Sequence, residues 1–348
     1  METINHTFGE SDFRKATGWE GYLSLFFSDS YKEYVTYRHH NQKKFSIVYS
    51  EEYAIPVLIR QYWIFVYAEL LSSPIRYKHQ NGSQKEFLDS VCKYLKRKLH
   101  VQWIMSTPVH SVFDDYPTHA KVIRFADTEV DLTKTEEEIF SNFNQKFRNA
   151  IRHAEKCELA YKIGGKELID DFIKIESATW KRSGVTVDHS NDTYYNDLFK
   201  YLPNNIVVIV TYDKEGQPAA GLVRLYDTQC AYGILSAHAN RTERGTVNYT
   251  HWQLIKWIKN KGVSKYIIAG YRLKVDAGSK IESIQQFKDG FNGYHREGFM
   301  FRQTFSKPYQ KLYVAVTKAL VFMRTGRISK HVPDMIEQEI HKWPEYND

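Results

Sequence analysis

The chain has 348 residues, a formal charge of +7, a pI near 9.0 and an aromatic-rich composition of 25 Tyr, 20 Phe and 7 Trp. Its length exceeds what one hydrophobic core usually serves, so two domains are expected, and the modest basic excess favours an anionic partner such as nucleic acid, nucleotide phosphates or a membrane surface. Cys92, Cys157 and Cys230 are far apart and form no CxxC pair, which argues against a disulfide framework and a structural zinc site. Residues 1–20 are polar and carry acids, unlike a signal peptide, and the apolar run 53–71 is broken by Arg60, Gln61 and Glu69. The expectation is a soluble, cytoplasmic protein.

In chain order, residues 1–30 read as irregular, with scattered aromatics such as Phe13 and Trp19. Three β-rich runs follow at 45–49, 52–60 and 62–69. A polar turn at 80–83 leads into a helix that Ser83 and Glu86 open as a capping box. Phe87, Val91, Leu95 and Leu99 keep helical spacing along it, while Lys93, Lys96, Arg97 and Lys98 form a solvated outer face. Strands are expected at 102–107 and 121–126. Thr135 and Glu138 form a second capping box, opening a long helix to about 156. Its buried stripe is Ile139, Phe143, Phe147, Ala150, Ile151 and Ala154, with Gln145, Arg148 and Arg152 on another face.

The second half repeats that order. A helix at 166–182 precedes a clear strand at 205–212, a hairpin loop with Gly216, and strands at 218–226 and 229–238. An amphipathic helix at 247–260 ends at Gly262, and a strand at 265–269, a helix from 281 and a last strand at 299–305 close the unit. Meander, helix, strand, helix, strand is the order of the acetyltransferase-like (GNAT) fold, and residues 45–126 run similarly. The fold class expected is therefore α+β. It comprises two GNAT-like domains at 1–155 and 156–307, each a mixed, mostly antiparallel sheet flanked by helices. A C-terminal helix and tail at 308–348 is expected to pack back on the first domain, because Leu312, Val316, Leu320 and Met323 need a partner.

The stretch Phe287-Lys288-Asp289-Gly290-Phe291-Asn292-Gly293 combines a cation, phenylalanines and two glycines that permit positive φ or close approach. One reading is a helix C-cap with core aromatics; the other is a lysine set against developing negative charge.

Several segments carry a family resemblance. Asp131-Leu132-Thr133, Glu136-Glu137-Glu138-Ile139, Lys146-Phe147-Arg148-Asn149-Ala150-Ile151-Arg152 and Ala154-Glu155-Lys156 resemble the central motif of the FemABX family, peptidoglycan-bridge aminoacyltransferases built from two GNAT-like domains. Thr179-Trp180-Lys181-Arg182-Ser183-Gly184 with Tyr194-Tyr195, and Phe287-Lys288 with Gly290-Phe291 and Gly293, are similar to two further family stretches. The chain departs from the family in lacking the helical arm of some members, and in reading Ala269-Gly270-Tyr271-Arg272 where a glycine pair is usual.

The resemblance implies transfer of an amino acid from aminoacyl-tRNA to an amine of a nucleotide- or lipid-linked peptidoglycan precursor in a bacterium. A lipid-linked acceptor would bring peripheral membrane contact. An amine attacking an activated ester needs oxyanion donors, a proton acceptor and cations for phosphates, with no cofactor and no metal. By the same resemblance Lys288 would stabilise negative charge and Phe287 would wall the channel, while Arg182 and Tyr195 would hold the acceptor. An ion pair at a helix end and a core tyrosine are the plain alternatives for that second pair. Arg148 and Arg152 would grip phosphate, cross the domain interface or remain a solvated face, and Tyr232, near Gly233 and Ser236, would donate a hydrogen bond or pack in the core. Asp276, Glu282 and His238 are the candidate bases. The rival donor is acyl-CoA, whose diphosphate would sit on the loop Arg241-Thr242-Glu243-Arg244-Gly245-Thr246 before the 247–260 helix. One glycine and Glu243 speak against it; Arg241 and Arg244 speak for it. A non-catalytic protein binding tRNA or the precursor is the remaining class.

Overall fold

The computed structural model describes residues 3–37, 42–78, 82–107, 112–183, 193–325 and 335–343. The chain forms two units, Met1–Ala126 with Glu297–Asp348, and Asp127–Arg296. The divisions expected from the sequence are at 155/156 and 307/308.

The first unit opens with β1 (Asn5–Thr7), α1 (Glu10–Thr17) and α2 (Asp29–Tyr37). Residues 1–30, expected to be irregular, thus hold a short strand and a helix. Only Phe13 of α1 is buried, where its ring meets Tyr49 and Tyr77 edge-on, so no apolar period marks the helix. Strands β2 (Gln42–Tyr49), β3 (Tyr53–Tyr62) and β4 (Phe65–Leu70) form an antiparallel meander, with β5 (Ile75–Arg76) on β3. The central β3 is apolar on both faces because it is covered on both. Helix α3 (Gln84–Leu99) begins where the Ser83 hydroxyl accepts from the Glu86 amide at 3.1 Å, and it buries Phe87, Val91 and Leu95 as their spacing predicts. It crosses over to β6 (Trp103–Ser106), parallel to β4, and β7 (Lys121–Asp131) follows.

The second unit contains α4 (Glu136–Asn142), α5 (Gln145–Lys156), β8 (Ala160–Gly164), α6 (Ile169–Ser183), α7 (Thr193–Tyr201), β9 (Ile206–Tyr212), β10 (Pro218–Tyr226), β11 (Cys230–His238), α8 (Thr246–Asn260), β12 (Lys265–Arg272) and α9 (Lys280–Asp289). Its strands lie in the order β7-β12-β11-β10-β9-β8. The helix expected over 135–156 is two helices. Thr135 and Glu138 complete the expected capping box, but Phe143 and Asn144 are extended, and Asn144 caps α5 by accepting from the Phe147 amide at 2.8 Å. The Asn144 amide donates to the Gly290 carbonyl at 3.0 Å, so a residue far along the chain holds the break open. Phe147, Ile151 and Ala154 of α5 share one core with Trp252, Leu254 and Ile255 of α8, which explains why these helices belong to the second unit.

The chain returns through β13 (Tyr294–Thr304), which pairs with β6, and ends in α10 (Lys307–Thr325) and α11 (Met335–Lys342). In the first unit Tyr313 and Val316 of α10 pack on Phe65, Tyr67 and Trp103. Leu312 and Met323, read as part of the same apolar face, are 46% and 71% exposed. Ile336 and Ile340 of α11 join Val112, Ile123, Phe125 and Met300.

Candidate active site

The Phe287–Gly293 stretch is half helix. Phe287 and Lys288 lie in the last turn of α9, which starts where Ser279 accepts from the Glu282 amide. The glycines do not supply the left-handed residue expected here. Gly290 is right-handed at φ −59, and Asn292 takes φ 47. What each glycine provides is room: a β-carbon on Gly290 would lie 2.4 Å from the Phe147 ring, and one on Gly293 would lie 2.6 Å from the Glu129 carbonyl oxygen. Phe291 is fully buried against Phe143, Phe147 and His251, and Phe287 packs at a tilt on the same cluster.

Lys288 turns the other way. Its Nζ donates to the Gly270 carbonyl at the end of β12. Burial lowers its pKa to about 8, opposed by the negative charge of buried Asp127 and assisted by Arg272. An ammonium that has lost most of its water beside an open backbone is suited to meet a developing oxyanion or to exchange a proton near neutral pH. Next to it, His295 contacts the Asp289 carboxylate through Nε2 at 3.3 Å and the Thr128 hydroxyl through Nδ1 at 3.2 Å. The Tyr271 ring lies tilted against His295 with centroids 4.2 Å apart, and burial, with the charge of Asp289 and its bond to it, pushes the phenol up to about 12. Both imidazole nitrogens are engaged, so this group orients the end of α9 and does not present a free base. Beside the turn lies a cavity of about 380 Å³, lined among others by Glu129, Asp131, Lys134 and Asn292.

The third meander strand carries the second half of the site. β11 pairs with β12 only over Cys230–Tyr232 and Lys265–Ile267, leaving the ends of both strands unpaired with each other. A register shift at Val223/Arg224 makes Ile234 an extra residue on β11. Beneath this bulge lies Arg224, 1% exposed. Its Nε donates to the Tyr266 hydroxyl at 2.6 Å, Nη1 to the Val223 and Leu235 carbonyls, and Nη2 to the Ser236 hydroxyl at 3.0 Å. Among the described residues no carboxylate pairs with it. A buried cation without a counter-ion is costly and marks a place where negative charge would be welcome. Gly233 permits this crossing, since a β-carbon there would lie 2.7 Å from the Ile268 carbonyl oxygen. Tyr266 also meets His251 Nδ1 at 3.4 Å, and burial, reinforced by Arg224, holds His251 well below its usual pKa, hence neutral. In the sequence the one mark of Arg224 is a single charge within an otherwise apolar strand.

The other expected residues fall as follows. Tyr195 is 2% exposed and donates to Glu176 at 2.6 Å; burial, then that bond, raises its pKa, so it is a core residue in this structure. Arg182 is exposed and ties α6 to the end of β11, donating to Asn240, Thr179 and the His238 carbonyl. Gly184 of that motif lies outside the described residues. Tyr232 donates to Asp227 at 3.2 Å, at the hairpin end of β11 and not at its unpaired end. Arg148 donates to the Ser141 and Phe143 carbonyls, closing the α4–α5 break, and Arg152 lies over the Phe140 ring at 5.4 Å. Glu282 accepts from the Gly278 amide as part of the α9 cap, and His238 lies against Arg182, so neither stands free as a base. On the donor loop Arg241 and Arg244 are exposed, while Gly245 has φ 88 and its α-carbon faces the Ala150 carbonyl, 2.0 Å from where a β-carbon would be. The Arg244 carbonyl lies 3.1 Å from His153 Nδ1. The one glycine of this loop is thus in close contact with α5.

A bulged third strand, an opening between parallel strands and a helix after the meander together match a known fold, and residues 141–270 match the family model described as acetyltransferase (GNAT) domain. The chain has a GNAT-like fold. Comparison with curated proteins gives no match. Among solved structures, one described as FemX superposes with a TM-score of 0.65 at 12% identity, covering 88% of this chain and 99% of that one. L-PGS from Bacillus licheniformis gives a TM-score of 0.52 at 12% identity over 90% and 96%. A tandem GNAT protein from the clavulanic acid biosynthesis pathway gives 0.51 at 8% identity over 87% and 99%. Coverage of nearly the whole chain agrees with two GNAT-like halves, and the FemX likeness in fold agrees with the FemABX resemblance of the motifs. Among the described residues no helix is long and apolar enough to cross a membrane.

Proposed function

We propose that this protein is an aminoacyltransferase that moves an amino acid from aminoacyl-tRNA to an amine of a peptidoglycan precursor. The observation that carries the reading is Lys288: a desolvated lysine with a pKa near 8, held at the Gly270 carbonyl on a fold shared with FemX. In the proposed reaction the acceptor amine attacks the aminoacyl ester carbonyl, the tetrahedral oxyanion forms beside the Lys288 ammonium, and the C–O bond to the tRNA ribose breaks as the amide forms, the proton lost by the amine going to the departing ribose oxygen. Arg224 adds positive potential from beneath the β11 bulge without touching the substrate.

The second reading is an acyl-CoA-dependent N-acyltransferase, favoured by the match of residues 141–270 to an acetyltransferase domain. The commitment of Gly245 to Ala150, with Glu243 in the same loop, weighs against a bound diphosphate there.

The deciding experiment supplies nucleotide-linked muropeptide with either a pool of charged tRNAs or a panel of acyl-CoAs, and follows acceptor mass. An aminoacyl increment from the tRNA pool, lost in Lys288→Met, supports the first reading. Acylation from CoA alone selects the second. No product from either donor, with retained binding of tRNA or precursor, would leave a non-catalytic binding protein.

A further inference from the structure

The first unit contains a cavity that none of the site residues touches. It measures about 600 Å³ and is lined by His119, Lys121, Arg302, Lys307, Lys311 and Glu337, among others. Its lining therefore sets four basic side chains and one histidine against a single carboxylate. That carboxylate is already committed. Both Glu337 oxygens accept from Lys121 Nζ at 3.0 Å, and Arg302 Nη2 donates to Oε2. Burial pushes the Glu337 carboxyl up, and the bonds from Arg302 and Lys121 outweigh it, leaving it ionised below its usual range. Arg302 is 3% exposed on β13, and the Gln310 amide, turned to present its oxygen, accepts from its Nε and Nη1 at 3.0 and 2.8 Å. Arg302 is thus a fixed charge in the cavity wall. Lys307 and Lys311 stand one turn apart on α10, exposed at the rim, and no ion pair with either is formed among the described residues.

Four cations converge on a concave space of ligand size with one neutralised acid, a far denser arrangement than the overall charge of the chain requires. We infer that this cavity binds a diphosphate group, with Lys307 and Lys311 gripping its outer oxygens and the Lys121–Glu337–Arg302 assembly fixing the floor. A single phosphate would engage one lysine; two linked phosphates match two lysines at i and i+4. The diphosphate belongs either to a soluble nucleotide or to a lipid-linked headgroup, and the inference does not depend on the acyl-transfer reading.

The test is calorimetric titration of the full-length protein in 150 mM salt with inorganic pyrophosphate, inorganic phosphate and UDP, and flotation with vesicles containing a polyprenyl diphosphate. Saturable one-to-one binding of pyrophosphate, tighter than phosphate, is expected. Lys307→Ala with Lys311→Ala should weaken it by about tenfold or more, the loss of one or two charge-assisted contacts. These lysines are exposed, so the variant should fold; Arg302→Met, which risks the core, is not needed. Lys93→Ala with Arg97→Ala on α3 removes the same charge elsewhere and should leave binding intact. Tighter binding of UDP assigns a nucleotide source, and flotation that depends on the α10 lysines assigns a lipid source. The inference is overturned by no saturable binding of any diphosphate, by equal loss in the α3 and α10 variants, or by binding of RNA alone.

Discussion

Lys288 Nζ, at the end of α9, donates to the backbone carbonyl of Gly270, at the end of β12, and this bond joins two segments whose side chains point to opposite tasks. Phe287, one residue earlier, completes a core; Lys288 leaves it. Burial brings the lysine to a pKa near 8, against 10.5 for an ordinary one. If the ammonium stabilises the oxyanion, transfer should fall about tenfold per pH unit above 8, and Lys288→Met should lower the rate about a hundredfold or more. A single-turnover pH profile checks this; a rate still climbing past pH 9 would refute the cationic role. Stability has the opposite sign. Between pH 8 and 10.5 the unfolded chain holds a proton that the folded lysine has released, so this group makes stability rise with pH across that window, and Lys288→Met should abolish that rise.

Arg224→Met should cost about 2–4 kcal/mol in urea denaturation, because it leaves the Tyr266 hydroxyl and the Leu235 carbonyl without their donor. The removed desolvation of the guanidinium works in the other direction. A neutral result would mean that the two cancel, and that the arginine is kept for its charge.

Tyr195→Phe separates a core role from an acceptor-binding role. The hydroxyl donates to Oε2 of buried Glu176, whose Oε1 has no partner among the described residues. Its loss should cost about 1–3 kcal/mol of stability and leave KM for the acceptor unchanged. A raised KM with unchanged melting temperature would return Tyr195 to the site.

Gly245→Ala and Gly262→Ala share a positive φ, 88 and 80, yet only Gly245 faces a neighbour, the Ala150 carbonyl. Gly262→Ala should cost about 1–2 kcal/mol of backbone strain, and Gly245→Ala distinctly more, since α8 must shift from α5. Thermal melts of the pair measure the difference. Equal losses would show that the α5 contact yields easily.

What the sequence settled by itself were features set by neighbours along the chain. The meander at 205–238, the caps at Ser83 and Thr135 and the apolar stripe of α5 follow from period, turn chemistry and side-chain hydrogen bonds within a few residues, and all are present. The FemABX resemblance rests on such local motifs, and it led to Lys288. What only the tertiary structure decided depends on groups far apart in sequence. The Gly290 carbonyl breaks the 135–156 helix at Asn144, the core shared with α8 draws α5 into the second unit, and Tyr195 is buried with its hydroxyl on Glu176. Arg224 is the clearest case. In sequence it is one arginine among strand residues; in the fold, a bulge on β11, a glycine at 233 and a tyrosine on β12 turn it into a buried, uncompensated positive charge. Desolvation and long-range hydrogen bonding have no signature in a local window, and they are what set these residues apart as a candidate site.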